Sequence, residues 1–375
     1  MFKHILFILD YYLPHKGGSE TVFEAIITRL LAKGYTITIL TSHFDPKLPK
    51  HESKDELHIH RVGKSRFRFM LLAFRKGIPL LRKQPDIALI HTSTYGGALP
   101  ASLLGILFRK KVILTVHEIF GRLRGKYKGR YIGRVYRVFE SIIFMFPYSM
   151  YHCVSRYTMN SLRLYYGIPD RKIKMIYNGV DTTFRNPEEV AHEEIKNCRK
   201  TNNRANRFVV LYYGHAGKSK GIDYLVKALP EMVSMDPHML FVFNLIDSKR
   251  TEHIKTKIKN LNLHACVEIL NGLDKSDLRV LLASVDMVVA PSLSEGFGSV
   301  HTETVAMHKP LLTTYIASIP EVVRGNVKMI PPASTREIIQ SILYHQDWIW
   351  NSEYILPPKS FSRSDTVKEL LGYYR

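Results

Sequence analysis

Residues 287–303 read MVVAPSLSEGFGSVHTE. The run Met287–Ala290 has the length and uniform apolarity of a strand buried on both faces, the way strands of a parallel sheet read. Pro291 stops the run, and the turn Gly296–Gly298 leads into a helical stretch from Ser299. The amino end of such a helix offers unpaired amides and a positive dipole end to an anion, which makes it a place for phosphate. Glu295 lies in the loop and Glu303 two turns into the helix. Two carboxylates so placed can accept hydroxyl hydrogen bonds from one ligand; the alternative is a loop charge and a solvated helix residue.

A second turn of this kind lies upstream. Residues 213–221, YGHAGKSKG, follow the apolar run Phe208–Tyr213 and precede a helical pattern carrying Leu225, Val226 and Leu229. His215, Lys218 and Lys220 beside glycines at the carboxyl end of a strand can hold a diphosphate, or they form a flexible surface turn with solvated lysines. At the amino end, Gly17, Gly18 and Ser19 follow the first strand and open the first helix. There the glycines allow close approach of backbone to a ligand and Ser19 is a candidate cap. His117 ends another strand on the same edge, as a cleft residue or a structural one.

Apolar runs alternate with helical stretches along the whole chain, the pattern of parallel sheets covered on both faces. Lys3–Leu9, Thr36–Thr41, Ile87–His91, Val112–Val116 and Met150–Val154 are expected strands of a first sheet. Leu240–Asn244, Val267–Leu270 and Pro310–Thr314 join the two runs above in a second. Between the first two strands, Ser19–Lys33 reads as a helix ending at Gly34. The polar segment Asn186–Arg207 is the expected connection. The boundaries that follow are 1–185 for an acceptor-binding, membrane-associating domain and 186–355 for a donor-binding domain. Residues 356–375 should form a terminal helix packing back on the first.

The 375 residues suffice for two cores, and 45% hydrophobic with 23% charged content is globular. Three unclustered cysteines, Cys153, Cys198 and Cys266, argue against a disulfide framework and a cysteine-based zinc site, and for a reducing cytoplasm. Ile5–Leu9 is too short for the core of a signal peptide, and no later run approaches the roughly 20 apolar residues of a membrane span. The net charge of +21 is lopsided: residues 1–180 carry 30 Lys and Arg against 11 Asp and Glu. That half is expected to meet a polyanion. Its cations concentrate in two stretches. Arg66, Arg68, Arg75 and Lys76 interleave with phenylalanines and leucines in a segment, Leu57–Pro85, without any acid; Arg122, Arg124, Lys126, Lys128 and Arg130 alternate with tyrosines. Both have membrane-surface character, which predicts a peripheral protein on the anionic inner face.

In their order, Gly17-Gly18 with Glu20, His117, Asn178-Gly179-Val180-Asp181, the Gly214–Gly221 loop, Glu295 with Glu303, and Ser318-Ile319-Pro320-Glu321-Val322-Val323 resemble the retaining glycosyltransferases of family 4 over nearly the whole chain. The resemblance implies the α/β GT-B fold, two facing Rossmann-like doubly wound domains with an interdomain cleft. It implies transfer from a nucleotide diphosphate sugar to an acceptor hydroxyl, with retention and without a metal or other cofactor. A lipid-linked saccharide of a cell-surface glycan is the expected acceptor. Glu303 would bind ribose. Glu295 and the backbone of Phe297, Gly298 and Ser299 would bind sugar hydroxyls and phosphate, and Lys220 would neutralise the diphosphate. Gly17 and Gly18 would line the phosphate side and His117 would touch the sugar. His215 stands where the family usually has arginine, so Lys218 is expected to supply that cation. Two other readings stay open: a sugar-nucleotide epimerase of related fold, and a polybasic nucleic-acid-binding protein. Nucleic acid is not the expected partner, because the basic stretches match no zinc finger, homeodomain or RRM signature.

Overall fold

The run His4–Leu9 forms β1, with every residue buried. In the computed structural model, which describes residues 3–15, 17–121, 129–184, 187–200, 204–349, 359 and 361–374, it lies near the middle of a sheet. The further strands are β2 (Thr36–Ser42), β3 (His51–Lys54), β4 (Leu57–Val62), β5 (Ile87–Ser93), β6 (Lys111–Val116), β7 (Met150–Cys153) and β8 (Ile173–Met175), in the spatial order β3-β4-β2-β1-β5-β6-β7-β8. All pairings are parallel except β3 with β4. The pattern of apolar runs locates β1, β2, β5, β6 and β7 but not β3, β4 and β8. The first two form a polar edge on which only Ile59 and Arg61 are buried, and β8 has three residues. Such edges carry little of the burial signal on which pattern reading depends.

The first helix runs Gly18–Leu31, and Gly34 follows it at φ +74°. Gly17, not Ser19, is its N-cap; Ser19 lies inside the first turn, where its Oγ donates to Glu20 Oε2 at 2.8 Å.

A second sheet holds β9 (Phe208–Gly214), β10 (Met239–Leu245), β11 (Val267–Leu270), β12 (Met287–Ala290), β13 (Leu311–Thr314) and β14 (Val327–Ile330), all parallel, ordered β11-β10-β9-β12-β13-β14. The chain divides into a unit of Met1–Gly179 with Arg363–Arg375 and a unit of Val180–Ser362. The change of unit thus falls a few residues before 185 and after 355, because Val180 N donates to Phe361 O at 3.2 Å and closes the second unit on itself. The polar segment expected as a connection is built into that unit. Arg204, 2% exposed, holds Glu268 through Nη2 at 2.7 Å, and Arg199 pairs with Asp286, whose Oδ2 also accepts from Val209 N at 2.8 Å.

The helix Arg363–Leu371 belongs to the first unit. Its Thr366 Oγ1 donates to Tyr177 O at 2.7 Å, and beyond it the Tyr374 hydroxyl lies 2.7 Å from His91 Nδ1. From there a buried chain runs through His91 Nε2 to Thr115 Oγ1 at 2.8 Å, on to His152 Nδ1 at 3.0 Å, and ends where His152 Nε2 meets Ile176 O at 2.9 Å. Burial pushes His152 down to about 4, and His91 well below its ordinary value. These rings stay neutral in the folded protein at pH values where the unfolded chain, near 6.5, takes up protons. Stability is therefore whole above pH 6.5 and falls as pH drops toward 4, by roughly 3 kcal/mol for His152 alone. Thermal unfolding followed across that window should show a steep decline in Tm; a level Tm would contradict the neutral chain.

Candidate functional site

Sheet order reverses between β9 and β12: from β9 the chain moves outward through β10 and β11, then returns to β9's other side with β12. Loops at the carboxyl ends of two such strands border a crevice, the usual ligand position of an open α/β sheet. Here those loops are Gly214–Gly221 and Pro291–Gly298, the two that the sequence singles out.

They are stitched together. Leu293 N and Ser294 N both donate to Ser219 O, at 2.7 and 3.3 Å. Gly221 adopts φ +67°, and a Cβ there would lie 1.8 Å from Pro291 O, so only glycine lets the loops come this close. Lys220 Nζ then reaches across to both carboxylate oxygens of Glu295 at 2.8 Å, and Ser292 Oγ donates to Glu295 Oε1 at 2.8 Å. Glu295 is 6% exposed. Burial alone would raise its carboxyl, but the Lys220 charge, the buried His301 and these hydrogen bonds hold it below the usual range. Expected to meet a ligand separately, Lys220 and Glu295 are thus partners. An ammonium has three donors, and two directions taken by the carboxylate leave it aimed rather than free.

Behind them the helix Ser299–Ala306 starts from Gly298 at φ +83°, with no side chain capping its amino end. Its first-turn amides have no partner within the helix. A Cβ on Gly298 would come within 2.9 Å of His301 Nδ1, an atom that is buried without a hydrogen bond. Glu303, half-buried, stands beside Tyr213, whose hydroxyl donates to Val300 O at 2.9 Å. Burial first, and then the Glu303 charge, push that phenol well above its ordinary value. Phe297 and Ser294 are buried in the same loop, Lys218 is exposed, and His215, half-buried, accepts the Tyr212 hydroxyl through its carbonyl at 2.8 Å. The structure therefore brings His215, Lys218, Lys220, Glu295, Phe297, Gly298, Ser299 and Glu303 to one edge of one sheet.

The first sheet reverses between β1 and β5. After β1, Glu20 is 7% exposed, with His15 Nδ1 at 3.0 Å from Oε1. Burial would raise this carboxyl, but His15 and Ser19 hold it low. Gly17 makes room for it, since a Cβ there would sit 2.3 Å from Glu20 Oε2, and Gly18 opens the helix behind. Asp10 is the residue that motif reading passes over. Burial raises its carboxyl even though Arg66 Nε donates to Oδ2 at 2.9 Å and Gly96 N at 3.1 Å. Its only sequence signal is an acid ending an apolar strand. His117 follows β6 with its ring edge toward Phe23 at 5.7 Å and Nε2 buried without a partner. Burial lowers it to about 4, so it is a neutral imidazole with a nitrogen left to bond.

Of the cations read as membrane-facing, Arg68, Arg75 and Lys76 are exposed, while Arg66 turns to Asp10. Arg122, Arg124, Lys126 and Lys128 lie outside the described residues, and of Arg130 only the backbone, at the start of a helix, is described. The helix Arg66–Lys83 exposes Phe67 and Leu71, the helix Ala98–Phe108 exposes Ile106 and Leu107, and the helix Arg130–Met145 exposes Ile132, Val135, Val138 and Met145. Leu104 of the second packs on Gly77 of the first, and Phe67 meets Phe139 of the third at 6.4 Å. The only carboxylate in the three helices is Glu140, which is buried.

Residues 16–184 match the description "Glycosyltransferase Family 4" and residues 193–344 match "Glycosyl transferases group 1". The chain belongs to this glycosyltransferase family. It is 21% identical, over 90% of its length and 74% of the other's, to the GPI3 subunit of phosphatidylinositol N-acetylglucosaminyltransferase of Saccharomyces cerevisiae. Its fold is that of GT-B glycosyltransferases. Sucrose-phosphate synthase of Thermosynechococcus elongatus superposes with a TM-score of 0.79 at 18% identity, covering 100% of this chain and 98% of that one. The HepE protein of Anabaena in complex with UDP-glucose gives 0.73 at 16%, covering 99% of both.

Proposed function

We propose that this chain is a retaining glycosyltransferase that moves a sugar from a nucleotide diphosphate sugar to a hydroxyl of a lipid-linked saccharide, at the anionic inner face of a membrane. The observation that carries the reading is the Lys220–Glu295 pair beside an uncapped helix end, at the reversal of the second sheet. The UDP-glucose held by the HepE neighbour and the phosphatidylinositol in the name of the yeast relative support donor and acceptor class.

Breaking the bond between anomeric carbon and phosphate is limited by negative charge gathering on the diphosphate. Lys220 supplies a cation there, held in place by Glu295, and the amides from Gly298 onward supply donors that need no reorganisation. Lys218 and His215 extend this set. No metal is required in this scheme, since these groups carry the neutralising role. Glu303 takes the ribose hydroxyls and Glu295 those of the sugar. In the first unit, Gly17 and Gly18 let backbone approach the phosphate side, and the free nitrogen of neutral His117 hydrogen-bonds the transferred sugar. The apolar faces of the three helices, with Arg68, Arg75 and Lys76 and no exposed acid, complement an anionic leaflet, each cation contributing about 1 kcal/mol.

A screen of nucleotide sugars by thermal shift tests the donor assignment. A true donor at a hundred times its Kd stabilises by about 2.7 kcal/mol, and Glu303→Ala should lose most of that shift. An undiminished shift in the variant would remove Glu303 from the ribose.

A further inference from the structure

Glu140 is 0% exposed and sits on a helix that is otherwise apolar and basic along most of its length. Burying a carboxylate is tolerable only when its oxygens are fully hydrogen-bonded. Among the described residues Glu140 gathers four donors: Phe120 N at 3.3 Å and the Tyr95 hydroxyl at 2.9 Å on Oε2, Gly121 N at 2.9 Å and the Tyr166 hydroxyl at 2.7 Å on Oε1. Both amides belong to the turn that leaves β6, three and four residues after His117. The Tyr95 hydroxyl also lies 2.8 Å from Glu118 O, and Ile119 between them is 1% exposed. The backbone carrying His117 is therefore fastened to the helix Arg130–Met145 through one carboxylate.

That helix has two faces. Glu140, Ile143 and Phe144 point inward, while Ile132, Val135 and Val138 are more than half exposed on the other side. Whatever fixes the outer face also fixes the carboxylate one turn away. We propose that Glu140 is a positioning residue that couples the seating of this helix on an anionic lipid surface to the order of the segment His117–Gly121. The proposal rests on the membrane reading given above and adds to it a route by which the lipid acts on the sugar-facing histidine.

Amide hydrogen exchange with and without vesicles of equal parts phosphatidylcholine and phosphatidylglycerol tests it, alongside co-sedimentation with the same vesicles. In the wild-type protein, exchange at Phe120 and Gly121 should slow by about tenfold on vesicles, the scale of one strengthened hydrogen bond to a charged group. Glu140→Gln keeps the shape but turns a donor toward two of the four donors. It should sediment equally and lose the slowing. A merely structural carboxylate would leave the variant's response to vesicles unchanged, and that result overturns the proposal. So does wild-type protein that sediments without any slowing. Wild-type protein that does not sediment removes the membrane reading, and the proposal with it. If Glu140→Gln fails to fold, Tyr166→Phe, which removes one of these donors and keeps the carboxylate intact, is expected to show a reduced slowing and carries the same comparison.

Discussion

Lys220→Met is expected to lower transfer by about 100- to 1,000-fold, the loss that follows removal of one preorganised charge from a developing anion. It should also destabilise the second unit. Glu295, 6% exposed, would lose the cation that holds its carboxyl below the usual range and retain the Ser292 hydroxyl. Breaking a buried pair from one side costs about 3 kcal/mol at the low end of its range, which applies because the Lys220 side chain is 33% exposed. The double variant Lys220→Met with Glu295→Gln separates the two effects. Removing both charges should return most of the stability and none of the activity. The measurements are turnover with the donor found by thermal shift and the unfolding midpoint of the three proteins. Restored turnover in the double variant would make Lys220 a brace for Glu295 rather than a participant.

Gly221→Ala is expected to be nearly as damaging without touching any charge. A left-handed backbone with a Cβ costs about 1–2 kcal/mol, and forcing an atom into packed structure adds about 1–3. The obstacle is Pro291 O at 1.8 Å, backbone that is itself held by the Leu293 and Ser294 amides on Ser219 O. A loss of about 3 kcal/mol or more follows, and with it donor affinity, because the loops can no longer bring Lys220 to Glu295. Gly167→Ala is the control. Gly167 also has positive φ, +62°, but a Cβ there meets nothing within 4 Å, so it should show the left-handed cost alone. Equal losses in the two variants would mean that close approach of the loops is not what Gly221 provides.

Much of this arrangement is legible in sequence where burial is uniform. β1, β9, β10 and β12 are continuous apolar runs, and the loops that follow β9 and β12 carry the glycines and charges that mark them. Strand order is not legible, because pattern shows which residues are buried but not beside which strand. That is why the ion pair of Lys220 and Glu295, 75 positions apart, goes unread even though both residues draw notice. Asp10 and Glu140 are missed for another reason. Each is a single acid among apolar or basic neighbours, indistinguishable by spacing from a solvated charge. Only the convergence of Arg66 and Gly96 on one, and of Phe120, Gly121, Tyr95 and Tyr166 on the other, sets them apart. Arg66 shows the converse, a cation read as surface that an internal partner draws inward.

The placement of Arg363–Leu371 in the first unit bears on the order in which the molecule matures on the ribosome. The chain of polar contacts from Tyr374 through His91 and Thr115 to His152 cannot close until everything from Val180 to Ser362 has been translated. The second unit is continuous in the chain and can settle as it emerges. Of the two units, the one that holds the amino-terminal sheet is begun before the other and completed after it. Until then Tyr177 O and His91 Nδ1 lack the partners that Thr366 and Tyr374 supply.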